Sequence, residues 1–231
     1  MEQELAKIIL EKTADDYNRI AAKYSQVREK NWKEMNFLFE NYLQPKDRVL
    51  DLGCGNGRFY ENFVSQDVEY WGTDFSEEIL KIAQKNYPLG RFDLADALNL
   101  PYETEFFDKV YSLAVLHHIP SLEFRLEFLK EAKRVLRLGG LLILTVWDLK
   151  EKRKKRKFNF LTWYWELGLD KGDMFLPWYG VNDAYFHCFD LKELVELVEM
   201  VGLKIIRKGE IRVGERPYNN FYVVAQKIDI E

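Results

Sequence analysis

The sequence predicts an α/β fold on a mostly parallel sheet, organised as one domain. Three observations predict it. Short apolar runs alternate with helical patterns of about ten to fifteen residues, the rhythm of a parallel sheet with crossover helices. The first apolar run, Val49-Leu50-Asp51-Leu52, stops at alternating glycines and passes into a helical pattern. The 13 glycines and 6 prolines among 231 residues fall below the usual share of roughly 12%, which leaves little material for a linker.

Each element follows in order. Residues 4–43 read as helical: Leu5, Ile8 and Ile9, then Tyr17, Ile20 and Tyr24, recur at spacings of three and four. A second helix is expected from about Glu29 to Tyr42, with Trp32, Met35, Phe39 and Leu43 along one side, and Pro45 ends the section. Strands are expected at Val49–Leu52, Tyr70–Thr73, a short run before Asp96, Phe106–Leu113 and Leu141–Trp147, with helices at Arg58–Gln66, Ser76–Asn86 and Leu122–Leu136. Ser76, followed by Glu77 and Glu78, suits a helix N-cap with acidic first-turn residues. After a helix at Leu191–Val201, the runs Leu203–Lys208 and Phe221–Ala225 are expected to pair antiparallel.

Composition narrows the function classes. Two cysteines and three histidines exclude a disulfide scaffold and a four-cysteine zinc site, and no metal is expected. Glu2 and Glu4 stand where a secretory signal would be basic, and Leu141 to Trp147 is far too short to span a bilayer. A soluble cytoplasmic protein without membrane contact is expected. Net charge is -4, yet residues 150–157 carry seven bases and one acid, so the other residues sum to -10. This strip reads either as a solvated loop or as one local contact with a nucleic-acid backbone.

The strongest motif is Asp51-Leu52-Gly53-Cys54-Gly55-Asn56-Gly57-Arg58. Glycines let a ligand approach the backbone closely, and a following helix presents free N–H groups. The dinucleotide pattern G-x-G-x-x-G fails here, because Arg58 or Tyr60 occupies its last position. The Walker pattern is absent. What remains, acid-x-G-x-G-x-G, resembles the first motif of class I S-adenosylmethionine-dependent methyltransferases. That resemblance implies a Rossmann-like fold: a mostly parallel seven-stranded sheet with an antiparallel C-terminal strand, here with an N-terminal helical extension. It implies S-adenosyl-L-methionine as cofactor, held by Asp51, Gly53, Gly55 and Gly57. Asp74 would accept the ribose hydroxyls beside Phe75, Asp96 and Ala97 would hold the adenine, and Ser112 and Ala114 would lie near the sulfonium. Within the single domain, 1–45 becomes a helical lid, 46–148 the cofactor half, 149–190 a basic and aromatic insertion on the substrate side, and 191–231 the closing helix and strand pair.

The resemblance narrows further. Tyr17-Asn18-Arg19-Ile20-Ala21, then Tyr24-Ser25-Gln26-Val27-Arg28 and Trp32, is similar to the N-terminal signature of tRNA wobble-uridine carboxymethyl methyltransferases, with Asn18, Tyr24, Val27 and Lys33 departing from the usual residues. Ala114-Val115-Leu116-His117-His118 resembles the double-histidine motif of that family, and Pro177-Trp178 with Tyr185-Phe186-His187-Cys188-Phe189 its late signatures. The implied substrate is the carboxylate of 5-carboxymethyluridine in the anticodon loop of tRNA. The implied partner is a small zinc-binding activator, and the implied roles are Arg28, His118, His187 and Trp32 at the substrate with Tyr17 over the cofactor. Taken singly, each of these also suits a plainer role: Trp32 and His187 in packing, His118 as a satisfied core histidine, Arg28 on a solvated helix face. A methyltransferase for a small molecule and a non-catalytic cofactor-binding subunit stay open at this point.

Overall fold

The computed structural model describes residues 1–27, 32–155, 168–212 and 219–229. A seven-stranded sheet runs in the order β3-β2-β1-β4-β5-β9-β8. Its strands are β1 (Arg48–Leu52), β2 (Glu69–Asp74), β3 (Phe92–Leu94), β4 (Phe107–Leu113), β5 (Leu136–Trp147), β8 (Leu203–Ile211) and β9 (Asn220–Lys227). Strands β1 to β5 pair in parallel, whereas β9 is antiparallel to both β5 and β8. The expected sheet and its antiparallel C-terminal strand are thus both present.

Apolar side chains leave both faces of the sheet, as strands buried on two sides require. One face packs under α5 (Leu122–Val135) and α7 (Leu191–Met200), with Phe128, Leu129, Leu194 and Val198 at its centre. The other packs under α2 (Phe37–Glu40), α3 (Tyr60–Val64) and α4 (Glu77–Asn86), around Leu38, Phe39, Phe63 and Leu80. Ser76 caps α4, its hydroxyl accepting from the Ile79 N–H. A long first helix, α1 (Gln3–Val27), crosses to α4, where the Asn18 Oδ1 accepts from the Ser76 hydroxyl at 2.7 Å and the Glu78 N–H at 3.3 Å.

Three expectations are corrected. The helix expected over Glu29 to Tyr42 is broken: the described part is a 3-10 turn at Lys33–Met35 followed by the four-residue α2. Burial overrides periodicity here, because the bend sends Trp32 toward Arg58 while Met35, Leu38 and Phe39 enter the core. The basic strip is helical as far as it is described, α6 spanning Lys150–Lys155, with the Asp148 carboxylate accepting from the Lys150 N–H. Finally, a hairpin of β6 (Asp173–Trp178) and β7 (Val181–His187) stands where no strand was expected. Its two-residue turn is Tyr179-Gly180, both at positive φ, a conformation normally signalled by Asn-Gly or Asp-Gly rather than by tyrosine. Hairpin, α1 and the end of β5 share a third apolar cluster holding Ile20, Trp147, Trp178 and Phe186. Among the described residues no helix is long and apolar enough to cross a membrane.

Candidate functional site

Strand β1 delivers Asp51 to the carboxyl end of the sheet, where open α/β sheets bind ligands. The turn that follows is closed by backbone bonds: the N–H groups of Gly53 and Cys54 both donate to the Thr73 carbonyl at 2.8 Å. Gly53 has φ +81°, and a Cβ there would sit 2.4 Å from a Val115 methyl. Gly55 lines the cleft at φ +57°, and a Cβ built there would be in ordinary contact with Tyr24 and Ile79, at 3.8 and 3.9 Å. Gly57 packs instead against Tyr87 and Phe92 and does not line the cleft. Cys54, within the turn, is buried, and burial pushes its thiol well above the ordinary value.

The turn opens into a cleft that is partly continuous with solvent and is lined by the β1 turn, the ends of β2 and β4, and α1. On its floor, Asp51 is 1% exposed and accepts from the Tyr70 hydroxyl at 3.1 Å. Burial pushes its carboxyl up to about 7, against the Tyr70 bond and the Arg58 charge, with Asp74 adding to the rise. At the end of β2, Asp74 accepts from the N–H groups of Gly55 (2.9 Å) and Ser76 (3.0 Å). Burial raises its carboxyl too, and these backbone donors oppose the rise. Phe75 lines the cleft next to it, as do Asp96 and Ala97 beyond β3. The Asp96 carboxylate accepts from the Leu98 N–H at 2.8 Å. Beyond β4, Ala114 lines the cleft at φ +64°, its N–H shared between the Thr145 carbonyl and hydroxyl at 3.0 Å each. Ser112 is fully buried beneath and does not line the cleft.

Helix α1 forms the roof. The Tyr17 hydroxyl meets His118 Nε2 at 2.8 Å, with the two rings edge to face at 5.2 Å. His118 Nδ1 lies 3.4 Å from the Tyr185 carbonyl of the hairpin. Tyr17 and His118, expected at the cofactor and the substrate respectively, therefore touch in one cleft.

The other expected substrate residues are dispersed. Arg28 lies outside the described residues. Trp32 is buried off the cleft, under the Arg58 guanidinium, which stands 4.4 Å from the Trp32 ring and 4.5 Å from the Phe59 ring. Arg58 does line the cleft. Sequence reasoning gave it no role, although a base directly after the last glycine was a visible signal. His187 is fully buried away from the cleft, with Nδ1 2.6 Å from Asp173 Oδ1 and Nε2 2.8 Å from Glu193 Oε1. Asp173 also accepts from the Tyr185 hydroxyl at 2.6 Å and lies 3.7 Å from Arg125, which in turn donates to Asp170 at 2.9 Å. Burial lowers the His187 basicity, but the Asp173 and Glu193 carboxylates outweigh it and raise the group above 6.5. His187 thus braces the hairpin whose Tyr185 carbonyl reaches His118. No cluster suited to a metal ion occurs among the described residues.

Comparison with known proteins agrees with this geometry. A methyltransferase-domain family matches residues 50–144. The chain is 31% identical over 237 residues to the tRNA (carboxymethyluridine(34)-5-O)-methyltransferase of Schizosaccharomyces pombe, covering 91% of this chain and 94% of that one. It is 32% identical over 163 residues to the protein of that name from Saccharomyces cerevisiae, covering 70% of this chain and 54% of the relative. Among solved structures it is similar to a SAM-dependent methyltransferase from Methanosarcina mazei, with TM-score 0.70, 27% identity and coverage of 83% and 97%. The methyltransferase in the complex with the Haloferax volcanii Trm112 methyltransferase activator shares the fold, with TM-score 0.68, 16% identity and coverage of 92% and 98%.

Proposed function

The chain belongs to the tRNA (carboxymethyluridine(34)-5-O)-methyltransferase family, and from that premise we propose that it methylates the carboxylate of 5-carboxymethyluridine at the tRNA wobble position. The observation that carries the reading is the meeting of the Tyr17–His118 pair with Asp74 and Gly55 in one cleft.

The donor set suits the cofactor. Asp51, Asp74 and Asp96 line the cleft, which matches a ligand carrying cationic and hydroxyl groups. When bound, S-adenosylmethionine supplies a methyl group on a sulfonium. In this reading Asp74 holds the ribose hydroxyls, Asp96 and the Ala97 N–H hold the adenine, and Asp51 faces the ammonium. Phe75 packs on the nucleoside, and the Gly53–Gly57 turn admits the ligand backbone closely. The strained Ala114 backbone shapes the cleft end next to His118, with Ser112 buried beneath it.

A carboxylate with an ordinary pKa near ~4 arrives ionised at neutral pH, so no strong base is needed. What remains for the chain is alignment and exclusion of water. Tyr17 and His118 orient the nucleophile from the roof, and Arg28 grips it through a two-pronged charged contact. His187 acts as a positioning residue through the hairpin, and Trp32 through Arg58. Helix α6, leaving the carboxyl end of β5, meets anticodon-stem phosphates. A small zinc-binding activator of the Trm112 kind is the proposed protein partner.

The test is incubation with labelled S-adenosylmethionine and tRNA that carries the free wobble acid, followed by nucleoside mass spectrometry. The methyl ester is expected. Arg28→Ala should lower kcat/KM on the order of 10–100-fold, the loss of a charged contact of about 1.5–3 kcal/mol. Arg28→Lys should not restore it, because the planar fork is gone. Turnover of free small acids without tRNA binding would instead favour a small-molecule methyltransferase.

A further inference from the structure

Strand β8 closes one end of the sheet and has a neighbouring strand on one side only. It carries Lys204, Arg207 and Lys208 against a single acid, Glu210, and all four are exposed. Elsewhere on the surface, bases such as Lys12, Lys81 and Arg91 reach a carboxylate. Among the described residues, no carboxylate stands within ion-pair distance of the three bases on β8. Arg207 lies 5.8 Å from the centre of the Phe37 ring, a contact that orients a guanidinium without neutralising it. Arg207 pairs with Val224 and Lys208 with Val223. Successive strand residues point to opposite faces, so the charge flanks the edge on both sides.

Register joins this edge to helix α6. Strands β8 and β5 both run antiparallel to β9 and therefore point the same way. At their carboxyl ends Ile211 pairs with Asn220, and Asn220 pairs with Trp147. Lys150 opens α6 just beyond Trp147, and its ammonium stands 4.7 Å from the centre of the Phe221 ring, the β9 residue paired with Glu210. The bases of α6 and of β8 thus flank one corner of the sheet. Three strand spacings, roughly 14 Å, separate β8 from β4, and β4 leads directly to Ala114 and His118 at the cleft. Lys204 to Lys208 carry the positive surface about 10 Å back along the edge.

We propose that the β8 edge is a docking surface for an RNA backbone, with Lys204, Arg207 and Lys208 holding phosphates of a stem whose loop reaches the cleft. The inference rests on the tRNA reading above and deepens it, adding β8 to α6 as a second basic element. Charge complementarity favours this occupant. The chain as a whole carries -4, so a polyanion is drawn to a local excess of positive charge and repelled by the remaining surface. Phosphate contacts position a nucleic acid without reading its sequence. The edge therefore sets where the stem lies, and the cleft selects the nucleoside.

Filter binding tests this with an unmodified tRNA transcript bearing uridine at the wobble position, over a series of salt concentrations. The triple variant Lys204→Gln, Arg207→Gln, Lys208→Gln should lower the slope of log K against log salt by about 2–3, and weaken binding about tenfold near physiological salt. With carboxymethylated tRNA its KM should rise by a similar factor, while kcat and calorimetric affinity for S-adenosylhomocysteine stay as in the native chain. A urea midpoint shows whether the triple variant folds. If loss of the Arg207 contact with Phe37 unfolds it, the two exposed lysines alone, Lys204→Gln with Lys208→Gln, carry the test with a slope change of about 1–2. An unchanged slope and KM would overturn the proposal. So would a variant that self-associates in sedimentation while keeping native RNA affinity, since the bases would then only guard the edge against strand pairing. A native chain that retains no tRNA at low salt would refute the tRNA reading itself, whereas native retention undisturbed by the β8 substitutions would leave that reading standing and remove the edge from it.

Discussion

The floor of the cleft and the brace behind its roof are both built from buried charge, and they are finished differently. The floor draws on a short stretch of chain, from Asp51 to Ser76, and its carboxylates lean on backbone N–H groups and one phenol. The brace joins Arg125 of α5, Asp170, the hairpin residues Asp173, Tyr185 and His187, and Glu193 of α7, and its side chains bond mainly to one another. Asp51 and Asp74 are both held above the ordinary carboxylate value by burial. Asp173, by contrast, is fully buried and has a cation, a phenol and an imidazole around it. A polar cluster bonded mainly within itself serves the fold, and carboxylates lining a cleft are placed to meet a ligand.

Breaking the brace should therefore cost stability. Asp173→Ala leaves Arg125 and His187 without their shared carboxylate, and about 3–5 kcal/mol of unfolding free energy should disappear. Urea denaturation measures it, and a loss below about 1 kcal/mol would mean that the network relaxes easily. Breaking the floor should cost binding. Asp74→Ala removes the acceptor for two ribose hydroxyls, worth roughly 2–4 kcal/mol of cofactor affinity, while the urea midpoint falls by less than in Asp173→Ala, the Gly55 and Ser76 N–H groups having lost their acceptor. Unchanged calorimetric affinity in the folded variant would take Asp74 out of the cofactor site.

The smallest effects are those of pH, and the two regions should respond in opposite senses. His187 is raised above 6.5 in the fold, burial being outweighed by Asp173 and Glu193. Its contribution to stability is complete below that value and fades as pH climbs through the raised one. Asp51 ionises only as pH passes about 7, so affinity for S-adenosylhomocysteine, which carries an ammonium, should grow through that range, and Asp51→Asn should flatten the rise. Titrating urea midpoints and calorimetric affinities across that interval checks both signs. A parallel trend in the two quantities would dissolve the distinction between floor and brace.

The same contrast explains what could be read from the sequence. The parallel sheet, the glycine turn and the Asp74 position are local: strand, turn and cap residues lie within about 25 positions, and backbone geometry dictates their types. The brace depends on six side chains scattered from Arg125 to Glu193, and no spacing rule joins them. His187 illustrates the limit, since its neighbours in sequence are aromatic while its partners in space are two carboxylates. The hairpin escaped notice because Tyr179-Gly180 is an unusual tight turn. Trp32 sits on an apparent helical stripe that the chain abandons so that the indole can meet Arg58. Gly57 and Ser112 fit the motif by position, yet one packs against aromatic rings and the other lies under the floor.

The buried thiol of Cys54 carries a further consequence, one of chemical reactivity. A sulfhydryl kept protonated and screened from solvent is a poor nucleophile, so alkylating reagents and peroxide find no purchase on the glycine turn while it is closed. Cys188, buried and likewise raised, behaves alike. With two cysteines in the whole chain, modification at Cys54 becomes a clock for opening of the loop, ticking only in the moments when β1 and its turn let go of Thr73.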